Sequence, residues 1–389
     1  AALSGTPTTL PCSSLSEDVE ATCACLSATG VSVTYRDGIL AVQPGMGPGL
    51  CRLPCGQSGT TFRFLLPVAA ALGISADFYL DGRLPLRPLA PLDRELETHG
   101  VVLSRPEPSL LQCRGRLQPG AFSLPGNVSS QLISGLLFAL PLLDGESTLT
   151  VTGPVESGPY LEMTQAALAL FGIHIPFDGT SYFISPTPYQ SPGQLQLEGD
   201  WSNAAFWLCG GALGGGITVS GLRRDSLQGD RTIGPLLAKL GAHVSWDQDR
   251  CTTGPGRLRP IWVDARPIPD LVPILAVVAA AAPGESRIAH AGRLRLKESD
   301  RLDTTCRLLQ NLGSSIRLER DCLVIQGGAP LTGGTVESFG DHRIAMAAAV
   351  AASLCRGPVQ LSGAEAVTKS YPRFWQDYQS LGGSWEETP

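Results

Sequence analysis

The chain has 389 residues, of which 43% are apolar and 16% charged, with 45 glycines, 31 prolines and a net charge of −6. That length allows two domains with real cores. The glycine and proline content predicts many turns and close backbone approaches. The acidic balance argues against a protein built to grip nucleic acid, which would carry a basic face. The longest apolar run, around Leu271 to Ala282, is interrupted by Pro273 and is too short to span a membrane. Ala1-Ala2-Leu3 lacks the basic n-region of a signal peptide, so the expected compartment is the cytoplasm. The eleven cysteines are irregularly spaced, and neither Cys23/Cys25 nor Cys51/Cys55 has a second pair or a histidine at zinc-site spacing. They read as small buried hydrophobes in a reducing compartment, and no metal is expected.

In chain order, one pattern recurs: a helical stretch ends in glycine and a β-like run follows. The copies are LSATGVSV at Gly30, LETHGVVL at Gly100, LALFGIHI at Gly172, LAKLGAHV at Gly241, LQNLGSSI at Gly313 and YQSLGGSW at Gly382. The steps between these glycines are 70, 72, 69, 72 and 69 residues. Glycine past the last helical turn takes the left-handed cap that other residues resist, and alternation after it marks a strand. Six copies at a near-constant period imply six βα-type units.

Between those caps, apolar helices are expected to begin near Thr60, Ser130, Ser202, Asp270 and His342, again about 70 residues apart. The same period projects a sixth start before Ala1, with Ala1 to Gly5 as that helix's tail. The turn-rich stretch from Tyr189 to Glu198 lies between the third and fourth copies and divides the chain into domains 1–198 and 199–389. The starts carry small or polar residues, as in GQSGTT, GNVSSQ, GDWSNA and GDHR. Free N–H groups at helix starts suit anions; equally, Ser, Thr and Asp there can simply cap the helix.

Two charged strings stand out. In Lys297-Glu298-Ser299-Asp300-Arg301 the two cations are four residues apart, on one face if the string is helical. Gly340-Asp341-His342-Arg343 precedes a purely apolar stretch and places His and Arg where an anion would sit at a helix start. Gly59-Thr60-Thr61-Phe62-Arg63, Asn127-Val128-Ser129-Ser130-Gln131 and Lys369-Ser370-Tyr371-Pro372 complete the set.

In this order and spacing the motifs resemble the enolpyruvylshikimate-phosphate synthase family, from about residue 6 to Gly383. The resemblance implies an α/β fold of two domains, an inside-out α/β barrel in which each domain carries three βαβαββ units and the domains close on substrate. It implies transfer of the enolpyruvyl group of phosphoenolpyruvate to the 5-hydroxyl of shikimate 3-phosphate, on the route to chorismate and the aromatic amino acids. It implies small-molecule substrates, a monomer, no organic cofactor, and no nucleic-acid or membrane partner.

Residue by residue, the resemblance implies that Ser129, Ser130, Gln131 and Ser157 grip shikimate 3-phosphate, with Gly158 standing where the family has Lys or Arg. Gly59, Arg83, Gln131, Arg301, Arg343 and Lys369 match the phosphoenolpyruvate site, with Arg63 and His342 as further candidates. Asp270 and Lys297 match contacts to the shikimate end, and Asp270 and Glu298 match the acid–base pair. The chemistry asks for these types, because guanidinium forks match phosphate and carboxylate and the reaction needs a proton acceptor and a proton donor. The family's first-helix Lys-Ser pair falls about 15 residues before Ala1 by the repeat period, so no residue of this sequence takes that role, and residues 1–389 alone are expected to be inactive and to fold poorly. Three other readings compete: a UDP-N-acetylglucosamine enolpyruvyl transferase using Cys51 or Cys55, a ligand-binding remnant without turnover, and an RNA 3′-phosphate cyclase-like enzyme.

Overall fold

Every one of the six periodic glycines stands just past a helix. In the computed structural model, which describes residues 1–387 apart from 46 and 48, their φ angles run from 78° to 101°. This is the left-handed region that a Cβ disfavours. The chain divides into two units, Ala1–Leu197 and Glu198–Pro389.

The first unit carries the helices α1 (Glu17–Ala28), α2 (Gly59–Leu72), α3 (Leu92–Thr98), α4 (Ser130–Ala139) and α5 (Gly158–Leu170). The second carries α6 (Trp201–Leu213), α7 (Ile233–Leu240), α8 (Val272–Ala281), α9 (Arg301–Asn311), α10 (His342–Ala352) and α11 (Phe374–Ser380). The expected starts of α2, α4, α6 and α10 lie within one residue of the observed ones. Before α8 a single 3₁₀ turn, Pro269–Leu271, carries Asp270.

One complete βαβαββ unit lies in each half. In the first, strand Leu50–Gly56 runs through α2 to the parallel strand Ser75–Leu80, then through α3 to the hairpin Val101–Glu107 and Leu110–Gly115. In the second, Trp262–Asp264 runs through α8 to the parallel strand Gly284–Ala289, then through α9 to the hairpin Ser315–Glu319 and Cys322–Gly327. Both sheets place the last strand of the hairpin beside the central parallel strand. The other sheets are shorter variations with two or three strands.

Two expected strands do not form. After Gly172 the segment Ile173-His174-Ile175 is irregular, because Pro176 removes a donor and the Asp178 carboxylate accepts the N–H groups of Thr180 and Ser181, turning the chain directly into strand Ser181–Ile184. After Gly382 no strand follows among the described residues; Trp385 lies against Trp375 instead, with ring centroids 5.4 Å apart. Residues 2–6 form turns and bends rather than a helical tail, with Ser4 N–H donating to the Ala1 carbonyl at 3.1 Å.

Each unit has its own apolar core. Strand Leu50–Gly56 alternates exposed and buried residues, as one covered face requires. In the second unit, α8 from Val272 to Ala280 and α10 from His342 to Ala351 are buried at every residue. A helix apolar all round must be covered all round. The polar residues opening these helices are therefore drawn into the interior.

In the first unit α2 and α4 pack closely, and Gly135 makes that approach possible. A Cβ at residue 135 would lie 2.3 Å from the Arg63 carbonyl oxygen and 3.0 Å from Pro67 Cγ. Gly135→Val should therefore destabilise the protein by about 2–4 kcal/mol, the upper range for overpacking and strain, as measured by thermal or urea unfolding. A variant as stable as the parent would mean that the helices are not in this contact.

Candidate active site

The second unit gathers the charged strings around one side chain. Lys297, Glu298 and Ser299 lie in a bend after the 3₁₀ turn Gly292–Leu296. Asp300 is the N-cap of α9, accepting the Asp303 N–H at 3.2 Å, and Arg301 is the first residue of that helix. Lys297 and Arg301 thus do not share a helix face, because the Asp300 cap starts the helix between them.

Arg301 is 1% exposed, and its guanidinium meets three carboxylates. Nη1 donates to Asp270 Oδ1 at 2.7 Å, and Nη2 donates to Glu298 Oε2 at 2.7 Å. Nε and Nη2 donate to the two oxygens of Asp341 at 2.8 and 3.2 Å. Lys297 Nζ lies 3.3 Å from Asp270 Oδ1, and Arg343 Nη2 lies 3.4 Å from Asp270 Oδ2. Burial pushes the Asp270 carboxyl upward, but Arg343, Lys297 and Arg301 outweigh it and hold it well below the usual carboxylate range. Asp270 is therefore ionised at neutral pH.

Asp341 caps α10 by accepting the Arg343 N–H at 3.0 Å, which fixes His342 and Arg343 in the first turn. Burial, followed by the positive charge of Arg343, lowers His342 to about 3, so its imidazole is neutral at neutral pH. Lys369 is buried at the end of the 3₁₀ turn Ala364–Lys369, which packs against α10. The next two residues are tied to neighbouring helices. Asn203 Nδ2 donates to the Ser370 carbonyl at 3.3 Å, and Trp207 Nε1 donates to Tyr371 Oη at 3.0 Å.

Asp230 is a member of this environment that the sequence reading missed. It is 1% exposed in the 3₁₀ turn Gly229–Thr232, and Ser202 donates its hydroxyl to it. Burial and then the Asp270 charge push it up to about 6, against the pull of Arg343. A lone Asp in a turn carries no pattern that marks it beforehand.

In the first unit a second polar cluster forms at the start of α2. Ser58 caps the helix, and Gly59 is its first residue. Arg63, 2% exposed, donates from Nη1 to Gln131 Oε1 at 2.9 Å and from Nη2 to the Pro88 carbonyl at 3.3 Å. Gln131 Nε2 in turn donates to Thr60 Oγ1 at 2.9 Å. The space over Gly59 is taken by two guanidinium groups. A Cβ there would meet Arg63 Nη1 at 2.7 Å and Arg87 Nη1 at 2.9 Å.

Arg87 was not among the sequence candidates, whereas Arg83 was. Arg83 is exposed at the N-cap of the 3₁₀ turn Leu84–Leu86, and none of the contacts just described involves it. Arg87 is the residue that closes this turn, and its guanidinium reaches Gly59. A turn within Leu84-Pro85-Leu86 was the available signal.

Ser129 is the N-cap of α4 and Ser130 its first residue, buried. Ser157 stands at the N-cap of α5 with φ +59°, a conformation a non-glycine residue adopts at a cost of about 1–3 kcal/mol. Gly158 has room for a side chain, since a Cβ there would meet only Val155 Cγ1, at 3.9 Å.

Across residues 1–378 the chain matches the family described as EPSP synthase (3-phosphoshikimate 1-carboxyvinyltransferase). It belongs to that family. The 3-phosphoshikimate 1-carboxyvinyltransferase of Clostridium kluyveri is 40% identical over 379 residues, 96% of this chain and 88% of the relative. That of Clostridium acetobutylicum is 40% identical over 395 residues, covering 100% of this chain and 92% of the relative. An EPSP synthase structure from Acinetobacter baumannii matches with a TM-score of 0.82 at 24% identity, covering 100% of this chain and 93% of that one. The enolpyruvyl transferase NikO from Streptomyces tendae matches at 0.78 and 20% identity, covering 100% and 92%. At these identities the two structures speak for the enolpyruvyl transferase fold.

Membership of this family sets aside the RNA cyclase-like reading. The cysteine-dependent alternative loses its chemical basis as well. Cys51 and Cys55 are buried on a strand, and the hydrogen bond with Cys25, followed by burial, pushes the Cys55 thiol upward, the opposite of what a reactive thiolate needs. Among the described residues no helix is long and apolar enough to cross a membrane.

Proposed function

We propose that this chain transfers the enolpyruvyl group of phosphoenolpyruvate to the 5-hydroxyl of shikimate 3-phosphate, releasing phosphate and 5-enolpyruvylshikimate 3-phosphate. The observation that carries the reading is the Arg301 cluster, in which two carboxylates, Asp270 and Glu298, are held by one guanidinium with Lys297 and Arg343 beside them. An addition–elimination on an enol phosphate needs a proton acceptor for the attacking hydroxyl and a proton donor for the methylene carbon. Two carboxylates in different environments supply both.

Asp270 takes the hydroxyl proton as the shikimate oxygen bonds to C2 of phosphoenolpyruvate, while Glu298 protonates C3. The resulting intermediate carries a methyl group, a phosphate and the shikimate ether on one carbon. Glu298, now ionised, removes a methyl proton. The C2–O bond to phosphate breaks, and phosphate leaves with the proton returned by Asp270. The depressed proton affinity keeps Asp270 ionised, the state in which it can accept the hydroxyl proton. Dianionic ligands beside Arg343 and Lys297 take up part of the positive field and make Asp270 a stronger base.

In the first unit, Arg63, Arg87 and Gln131 at the start of α2 are suited to the phosphate or carboxylate of phosphoenolpyruvate. They offer planar forks and a helix N-terminus. Ser129, Ser130 and Ser157 at the starts of α4 and α5 offer hydroxyl and N–H donors for the 3-phosphate of shikimate. Arg343 and Lys369 complete the proposed contacts to phosphoenolpyruvate.

Two measurements check these assignments in a phosphate-release assay with both substrates. Asp270→Asn and Glu298→Gln should each lower kcat by about 10²–10⁴-fold, the range for a general acid or base, with KM values little changed. Near-normal kcat in either variant removes that residue from the mechanism. Arg87→Ala should raise KM for phosphoenolpyruvate by more than about tenfold, the loss of a charge-assisted fork, while Arg83→Ala changes it by less than about twofold. The opposite ranking would return the role to Arg83.

A further inference from the structure

Asp341 touches neither of the carboxylates assigned to proton transfer, yet both depend on it through Arg301. It is fully buried, and each of its oxygens accepts two hydrogen bonds. Oδ2 accepts from Arg301 Nε at 2.8 Å and from Ser299 Oγ at 2.9 Å. Oδ1 accepts from Arg301 Nη2 at 3.2 Å and from the Arg343 N–H at 3.0 Å. Ser299 is itself fixed by Thr304 Oγ1 at 3.0 Å. Asp341 therefore ties the start of α9 to the start of α10 and sets the plane of the Arg301 fork.

That plane decides where two further donors point, Nη1 toward Asp270 and Nη2 toward Glu298. The titratable and charged groups facing Asp341 are Glu298 from the bend before α9, Arg301 at the start of α9, and Arg343 and neutral His342 from α10. Its charge repels Glu298 and is matched by Arg301. Asp270, Glu298 and Asp341 face the three cations Lys297, Arg301 and Arg343. We propose that Asp341 is a positioning residue for the acid–base pair: through the Arg301 guanidinium it holds Asp270 and Glu298 in place.

The proposal rests on the reading of Asp270 and Glu298 as base and acid, and the experiment separates the two. Asp341→Asn keeps the size of the side chain and the ability to cap α10, but removes the charge and one strong acceptor. Its kcat should fall about 10–100-fold while KM for each substrate stays within about threefold, the pattern of lost transition-state positioning. The alkaline limb of kcat, set by the protonated acid, should move to lower pH by about half a unit to one unit, because a neighbouring negative charge has gone. A purely structural role would not move that limb. Asp270→Asn and Glu298→Gln are measured alongside. Normal turnover in both would overturn the acid–base reading and this proposal with it. If both lose turnover while Asp341→Asn keeps the parent kcat and pH profile, only the proposal falls. Should Asp341→Asn fail to fold by thermal melting, Ser299→Ala carries the test. It should lower kcat about 3–10-fold, the loss of one supporting hydrogen bond, and a kcat equal to the parent's would overturn the proposal.

Discussion

Arg301 is a guanidinium taken almost wholly out of water and surrounded by three carboxylates. A buried charge of this kind is costly to desolvate and is tolerated only when its donors are engaged. Breaking such a pair from one side typically costs about 3–5 kcal/mol. Arg301 therefore constrains everything around it. Asp270, Glu298 and Asp341 must stay where its fork can reach them, so the 3₁₀ turn before α8, the bend before α9 and the cap of α10 are locked together. The three carboxylates in turn raise the proton affinity of Arg301 against the effect of burial, so it stays charged.

The fold supplies the conditions for this arrangement. α8 and α10 are apolar all round and fully covered, which carries their first residues inward. Polar groups at those positions lie largely out of water, and Asp270, Arg301 and Asp341 pair with one another. The same logic operates in the first unit at α2, where Gly59 leaves room for two guanidinium groups and Gly135 lets α4 come close enough for Gln131 to meet Arg63. Catalysis by preorganised charge asks for such sites, since dipoles fixed before reaction need no reorganisation during it.

Much of this was legible in the sequence. The glycine caps were readable because the left-handed conformation selects one residue type, and the helix starts were readable from polar residues preceding apolar runs. The charged strings pointed to Lys297, Glu298, Arg301 and Arg343, and the family resemblance pointed to Asp270; the structure brings these five together. Three features were hidden for physical reasons. Arg87 meets Gly59 from the residue after the 3₁₀ turn Leu84–Leu86, a contact between residues 28 apart that local sequence does not specify. Asp341 and Asp230 take their importance from burial and from partners distant in sequence, 40 residues away for Asp341 and Arg301. The strands missing after Gly172 and Gly382 depend on local turn bonding and aromatic packing that a periodic pattern does not report.

The central claim is that a carboxylic acid in this cluster protonates the methylene carbon of phosphoenolpyruvate. The most direct measurement is to run the reaction in D₂O and determine by mass spectrometry the deuterium in the vinyl group of the product and in recovered phosphoenolpyruvate. Protonation at C3 makes a transient methyl group that carries solvent deuterium, and elimination can then remove either isotope. The account predicts deuterium in the vinyl methylene of the product, and in phosphoenolpyruvate that returns from the intermediate. Full turnover in D₂O with no deuterium in either molecule would contradict it, because the carbon would never have been protonated.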